Sequence, residues 1–303
     1  MKLKLKSAAL LMSLAIAGIG SASATENGLT TYPIGVNTVL DGILPPPGDT
    51  RFYNYTQYYV ANKFAGPHGE SLVPGFRSSA LVDAPRVVHT WGSTIGPFTL
   101  STGAIVPFFY LDLNTPAGHG HRTALGDIIV QPLMLGYVNQ SHTFFAYLTG
   151  DVGLPTGAYD VNRIANVGTN TYAFMPSLNA TWFPTPDWEL SGTALVEINS
   201  PNHATNYHSG SVASLDWLIG YSVTKQFQIG LQGFYLKQFT DDTVNGQSVN
   251  GDGFRGQAVG IGPQIRWDWA PGSSVALKYQ HEFAVRNRPQ GERIWLEVSV
   301  PFK

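Results

Sequence analysis

The stretch "KQFQIGLQGFYLKQF" (residues 225–239) sets Phe227, Ile229 and Leu231 against Gln226, Gln228 and Gln232. That is period two, so one side of an extended chain is apolar and the other polar. In a soluble β-sandwich the apolar side points into the protein. In a membrane barrel it points out to lipid, and the glutamines line the lumen. The same residues serve both folds, so the decision rests on how the strands connect.

Twelve strand candidates follow from the alternation, near 51–62, 81–91, 97–111, 126–138, 142–155, 171–183, 188–199, 210–223, 226–240, 256–269, 273–285 and 292–302. Their connections alternate between long and short. "GSTIG" (92–96), "NQS" (139–141), "PTPD" (184–187), "TK" (224–225) and "APG" (270–272) are short. Residues 63–80, 112–125, 156–170, 200–209, 241–255 and the modest 286–291 form the other set. An outer-membrane barrel needs this: an even number of antiparallel strands, short periplasmic turns and longer outer loops. Greek-key connections of a sandwich give no such regularity. The fold expected is all-β: a transmembrane antiparallel outer-membrane β-barrel of about 12 strands, preceded by an N-terminal non-barrel segment.

The aromatics agree. On the parity assigned to lipid, Phe98, Phe144, Trp182, Trp188, Tyr221, Phe227, Trp267 and Trp269 stand beside short turns, where a girdle at headgroup level belongs. The chain closes on "RIWLEVSVPFK", with Ile294, Leu296, Val298, Val300 and Phe302 on one face. Against the barrel stand Pro107, Pro132, Pro176 and Pro263, each inside a strand candidate and each costing a ladder bond. Bulges or bends are expected at all four.

Composition bounds the rest. Lys2, Lys4 and Lys6, an apolar run from Ser7 to Gly20 and Ala22-Ser23-Ala24 read as a signal peptide over 1–24, with the mature chain starting at Thr25. No other stretch approaches about 18 consecutive apolar residues, so no transmembrane helix is expected. Hydrophobic residues make up 43% and charged ones only 13%, against about 25% in soluble proteins. Low charge without an apolar helix suits a barrel whose lipid face takes every second residue. The chain has no cysteine, which excludes disulfides, thiolate metal sites and cysteine nucleophiles. Removing three lysines and no acid takes the formal net charge from −2 to −5. Nothing marks a nucleic-acid binder, which needs a basic patch.

Residues 25–49 remain as a segment before a barrel of 50–303. Its "LPPPG" imposes a stiff stretch and then a turn. Two places are open to it: a plug folded into the lumen, or a lead-in lying in the periplasm.

Four motifs occur in order: "GILPPPGDTRFYNYTQYY" (42–59), "GDIIVQP" (126–132), "GLPTGAYD" (153–160) and "NVGTNTYAFMP" (166–176). They resemble the outer-membrane family of meta-pathway phenol-degradation (MetA-like) or SphA-type proteins, over nearly all of the mature chain. The resemblance implies a bacterial outer-membrane barrel that transports aromatic or other hydrophobic compounds, and it leaves the solute undefined.

The same parity assigns the lumen. Asp127, Gln131, Asp151, Arg266, Asp268, Lys278, Glu282, Arg293 and Glu297 form its polar wall, with the ionic residues expected to pair across strands. Ile105, Phe109, Ile129, Leu133 and Leu135, with Pro107, form an apolar wall. That wall suits an apolar solute; it equally suits packing against Ile34, Val36, Val39, Ile43 and Leu44. Function is therefore read as a passive channel for small hydrophobic or aromatic compounds, without cofactor or metal. Outer-membrane lipid, the solute and the outer-membrane assembly machinery are its expected partners. The alternatives are a structural barrel or a membrane-embedded lipid hydrolase of the outer-membrane phospholipase type. For the hydrolase, His281 and His142 have lipid parity but no evident serine neighbour, and no G-x-S-x-G elbow is present. His68, His119, His121, His203 and His208 fall in outer loops without the spacing of known metal sites.

Overall fold

In the computed structural model, which describes residues 30–302, Gln228 and Gln232 are 2% and 0% exposed, whereas Ile229 and Leu231 are 45% and 47% exposed. The polar side is buried and the apolar side is outside, the reverse of a soluble protein. A continuous apolar exterior on that scale requires lipid. The signal peptide 1–24, the first five residues of the N-terminal segment and Lys303 lie outside the described residues.

In chain order the strands are β1 (Thr50–Ala65), β2 (Arg77–Ile95), β3 (Phe98–Ile105), β4 (Phe108–Thr115), β5 (Gly118–Leu125), β6 (Ile129–Val138), β7 (Phe144–Gly153), β8 (Ala173–Thr185) and β9 (Trp188–Asn199). They continue with β10 (Tyr207–His208), β11 (Val212–Ser222), β12 (Phe227–Gln238), β13 (Thr243–Val244), β14 (Gln247–Ser248), β15 (Gln257–Ala270), β16 (Ser273–Arg286) and β17 (Arg288–Phe302). Sequential neighbours pair antiparallel, and β1 pairs both β2 and β17, so the sheet closes. Counting β3 with β4 and β5 with β6 as broken single strands, the barrel has twelve. The short strands β10, β13 and β14 form a separate small sheet in the long loops. No described helix is long and apolar enough to cross a membrane.

The expected boundaries change most in two places. Residues 112–125, read as loop, extend the wall as the β4–β5 hairpin, with Phe108 opposite Leu125 and Thr115 opposite Gly118. The expected loop 286–291 shrinks to a turn at Asn287, whose φ of 51° an asparagine tolerates. The ladder is broken or shifted at two of the four prolines. At Pro107 the strand breaks: β2 pairs β3 up to Ile105 and β4 from Phe108. At Pro132 both ladders of β6 shift register. At Pro176 and Pro263 the register does not change. Phe174 faces Ile198 and Ser177 faces Leu195 on either side of Pro176; Ile261 faces His281 and Gln264 faces Lys278 around Pro263. There the ladder loses a bond without inserting a residue.

The wall is interrupted above β6. The outer edge of β5 pairs with no described strand. The loop after β7 closes that edge through backbone bonds from Ala158 N to Leu125 O (3.0 Å) and Leu154 N to Ile128 O (2.8 Å). Asp127 anchors this loop, accepting from Gly157 N (2.8 Å), Thr169 N (2.6 Å) and Thr169 Oγ1 (2.7 Å). Gly157 and Gly168 cross so closely that a Cβ on Gly157 would stand 2.6 Å from the Gly168 Cα. The glycines of "GLPTGAYD" and "NVGTNT" therefore serve one contact.

Outside, Trp182, Trp188, Tyr221, Phe227, Trp267 and Trp269 ring the short-turn end, all exposed. A polar cluster also faces outward: Asp83 stands opposite Thr56 and accepts from Asn54 Nδ2 (2.7 Å) and Thr56 Oγ1 (2.9 Å). These two bonds offset part of the cost of a carboxylate there.

Candidate functional site

Residues 30–49 run down the inside of the barrel, and its inward polar side chains hold them. Extended chain inside a lumen has backbone groups with no ladder to join, so the wall must supply partners. Glu197 accepts from the amides of Thr31 (3.0 Å) and Tyr32 (2.9 Å). Asp216 accepts from Gly35 N (3.0 Å), Asn37 N (3.1 Å) and Tyr32 Oη (3.2 Å). Lys278 Nζ donates to Gly35 O (3.0 Å), Val36 O (2.6 Å) and Thr38 Oγ1 (2.8 Å). Lower down, Leu40 N reaches Glu189 (3.1 Å) and Gly42 N reaches Thr181 Oγ1 (3.0 Å). Gly35, at φ 83°, lies so close to Gln280 and Phe234 that a Cβ there would meet both inside 3 Å. The "LPPPG" run then turns at the short-turn end: Asp49 N bonds Pro46 O, Gly48 N bonds Thr90 O, and β1 begins at Thr50.

Six inward ionic residues of β15–β17 are paired. Lys278 meets Glu297 at 2.5 Å, Arg266 meets Asp268 at 3.1 Å, and Arg293 pairs with Glu282. One pair is not between neighbours: Arg266 reaches Glu189 on β9 at 2.6 Å, with β11 and β12 between. Arg293 also donates to Ile34 O (2.5 Å). Of these groups, Lys278 and Arg293 hold the segment directly.

Above the segment lies a cavity of about 930 Å³. Its floor is Tyr32, Pro33, Ile34 and Val36. Ile105, Pro107, Phe109 and Ile129 form one wall, and Phe64, Phe76 and Phe254 stand toward the loops. Phe64 stacks on Phe254 at 6.2 Å between ring centroids and meets the edge of Phe76 at 5.5 Å. Ile129 also packs in one buried cluster with Tyr32, Ile34 and Val36, against which Ile105 lies. The apolar wall thus faces both the segment and the cavity. On the polar side, Arg86 Nε donates to Gln131 (2.7 Å), and Gln131 Nε2 donates to Asp151 (2.8 Å), which also accepts from Thr149 (2.6 Å).

Two expected wall residues do not belong to it. Leu133 is 46% exposed and Leu135 shares its outward side, while Met134 between them is fully buried. The register shift at Pro132 flips the parity of β6, so counting by twos from Ile129 fails beyond Gln131. Asp127 faces inward as expected but is spent on the loop after β7. Arg266, Asp268, Lys278, Glu282 and Glu297 face inward yet stay off the cavity lining; Gln131, Asp151 and Arg293 are on it. Sequence reading missed Arg86, Arg288, Tyr55, Tyr59 and Trp295, all of which line the cavity. In β1, "RFYNYTQYY" carries tyrosine on both parities, so alternation gives no direction there.

His281 faces outward, 3.5 Å from Glu292, and His142 sits in the turn before β7. Among the described residues, neither bonds a serine. His119 bonds Asp112 (2.9 Å) and His208 bonds Asn199 O (2.9 Å). No described group of three or more histidine or acidic residues is placed to hold a metal ion.

The fold matches the crystal structure of the COG4313 outer membrane channel from Pseudomonas putida F1, with a TM-score of 0.75 and 17% identity over 86% of this chain and 98% of that one. The β domain of the Bordetella autotransporter BrkA is also similar, at TM-score 0.52 and 13% identity over 85% of this chain and 100% of that one. No curated protein matches the sequence. Residues 61–298 match the family described as "Putative MetA-pathway of phenol degradation", and the chain belongs to that family.

Proposed function

We propose that this chain sits in the bacterial outer membrane and passes small apolar or aromatic compounds passively. The observation that carries this reading is the cavity. An aqueous porin needs a polar lumen continuous through the barrel. Here the upper lumen is enclosed by Ile105, Phe109, Ile129, Phe64, Phe76 and Phe254, and the segment 30–49 fills the lumen below it. A pocket of about 930 Å³ with few convergent polar groups is the form of a site for a drug-sized apolar ligand. The family's link to phenol degradation supports an aromatic solute, and the similar Pseudomonas putida protein is an outer membrane channel. Movement is down the gradient, and passage beyond the cavity requires the segment to yield.

The test is uptake of radiolabelled aromatic and long-chain solutes by a strain lacking the protein and by its complemented counterpart. Faster uptake of apolar solutes on complementation, with sugars of similar size unaffected, is expected. Equal uptake of apolar solutes in the two strains would overturn the reading.

A further inference from the structure

Arg288 opens β17, opposite Ala65 of β1, and is 5% exposed. Its side chain lines the cavity, with its Cδ 3.9 Å from where a Cβ on Gly256 would stand. The other two arginines on the lining are committed. Arg86 bonds Gln131 and Tyr55, and Arg293 bonds Glu282 and Ile34 O. Beyond its place in the β1–β17 ladder, the Arg288 side chain makes no hydrogen bond or ion pair with any described residue.

The acids whose charge reaches Arg288 are Glu282 and Glu197, and both are occupied. Glu282 pairs with Arg293 through one oxygen and accepts from Tyr59 Oη (2.9 Å) and Gly291 N (2.8 Å) with the other. Glu197 holds the amides of Thr31 and Tyr32. Arg293 adds a second positive charge beside Arg288. A buried guanidinium without a partner is costly. A carboxylate removes that cost, because its two oxygens match the N–H fork. The rest of the cavity offers an apolar body its place among Phe64, Phe76, Phe109 and Ile105.

We propose that the cavity selects amphiphiles, an aromatic or aliphatic body bearing one carboxylate, and that Arg288 holds the carboxylate. This rests on the reading of the cavity as an apolar solute site. It narrows that site from apolar compounds in general to organic acids.

The full chain in nanodiscs of zwitterionic lipid is titrated calorimetrically with biphenyl-4-carboxylate and with its isostere biphenyl-4-carboxamide, with empty nanodiscs as the blank. The carboxylate is expected to bind roughly tenfold or more tighter than the amide, the range of a charge-assisted pair. Arg288→Gln should abolish the preference of carboxylate over amide; Arg288→Lys should restore part of it. The comparison of probes on the unaltered protein needs no variant to fold. Amide binding with no preference for the carboxylate, or a preference that survives Arg288→Gln, overturns the carboxylate site and leaves the apolar cavity standing. Binding of neither probe overturns both.

Discussion

Asp216→Asn tests how firmly the N-terminal segment closes the lower lumen. The Asp216 carboxylate accepts from Gly35 N, Asn37 N and Tyr32 Oη, all on the segment. Asparagine keeps the shape but replaces one acceptor oxygen with an NH₂ and removes the charge. At least one segment N–H then faces another donor, and the remaining bonds become neutral. Hydrogen bonds to charged groups contribute about 1.5–3 kcal/mol each, so a loss of about 3 kcal/mol in docking is expected. At about 1.4 kcal/mol per decade, the population with the segment released rises roughly hundredfold. Single-channel recording in planar bilayers reads this as more frequent large-conductance events. Asp268→Asn is the control, since Asp268 bonds Arg266 and makes no described bond to the segment. Deleting residues 25–44 should make the large conductance permanent. Event frequency unchanged in Asp216→Asn, with the barrel folded, would refute the claim that these bonds keep the lumen closed.

Epitope tags near residues 117, 163, 205 and 247 should be reachable on intact cells and tags at 140, 186 and 271 should not; surface labelling of the second group would sink the topology. Phe109→Asn or Ile129→Asn should slow uptake of apolar solutes by roughly tenfold, since an amide in an apolar cavity costs on the order of 1–2 kcal/mol. Leu133→Asn and Leu135→Asn should leave uptake unchanged and lower barrel stability, because both face lipid. Asp127→Ala removes three charge-assisted bonds to the loop after β7. Hydrogen exchange in 154–172 should quicken by roughly a hundredfold while β8 and β9 keep their protection.

The barrel was legible because its determinants are periodic. Strands β12 and β15–β17 alternate cleanly, and their inward residues Arg266, Lys278, Glu282, Arg293 and Glu297 follow by counting in twos. Counting fails where a residue is inserted: Pro132 moved Leu133 and Leu135 outside and put Met134 in their place. It also fails where both parities look alike, as in the tyrosines of β1, which hid Tyr55 and Tyr59. The β4–β5 hairpin escaped because "GHGHRTAL" has no apolar face to read. The cavity lies further out of reach. Its floor is the non-periodic segment 30–37 and its upper side comes from loops, so its lining brings together residues with no shared pattern. Arg288 follows a turn of one residue where the sequence suggested a loop.

Anomalous diffraction from crystals of the full chain soaked with 4-iodobiphenyl tests the occupation of this cavity most directly. Peaks between Ile105, Phe109, Phe64 and Phe76, above Tyr32 and Ile34, are the predicted result. Peaks confined to the lipid-facing surface, with the cavity free of iodine, would contradict the account.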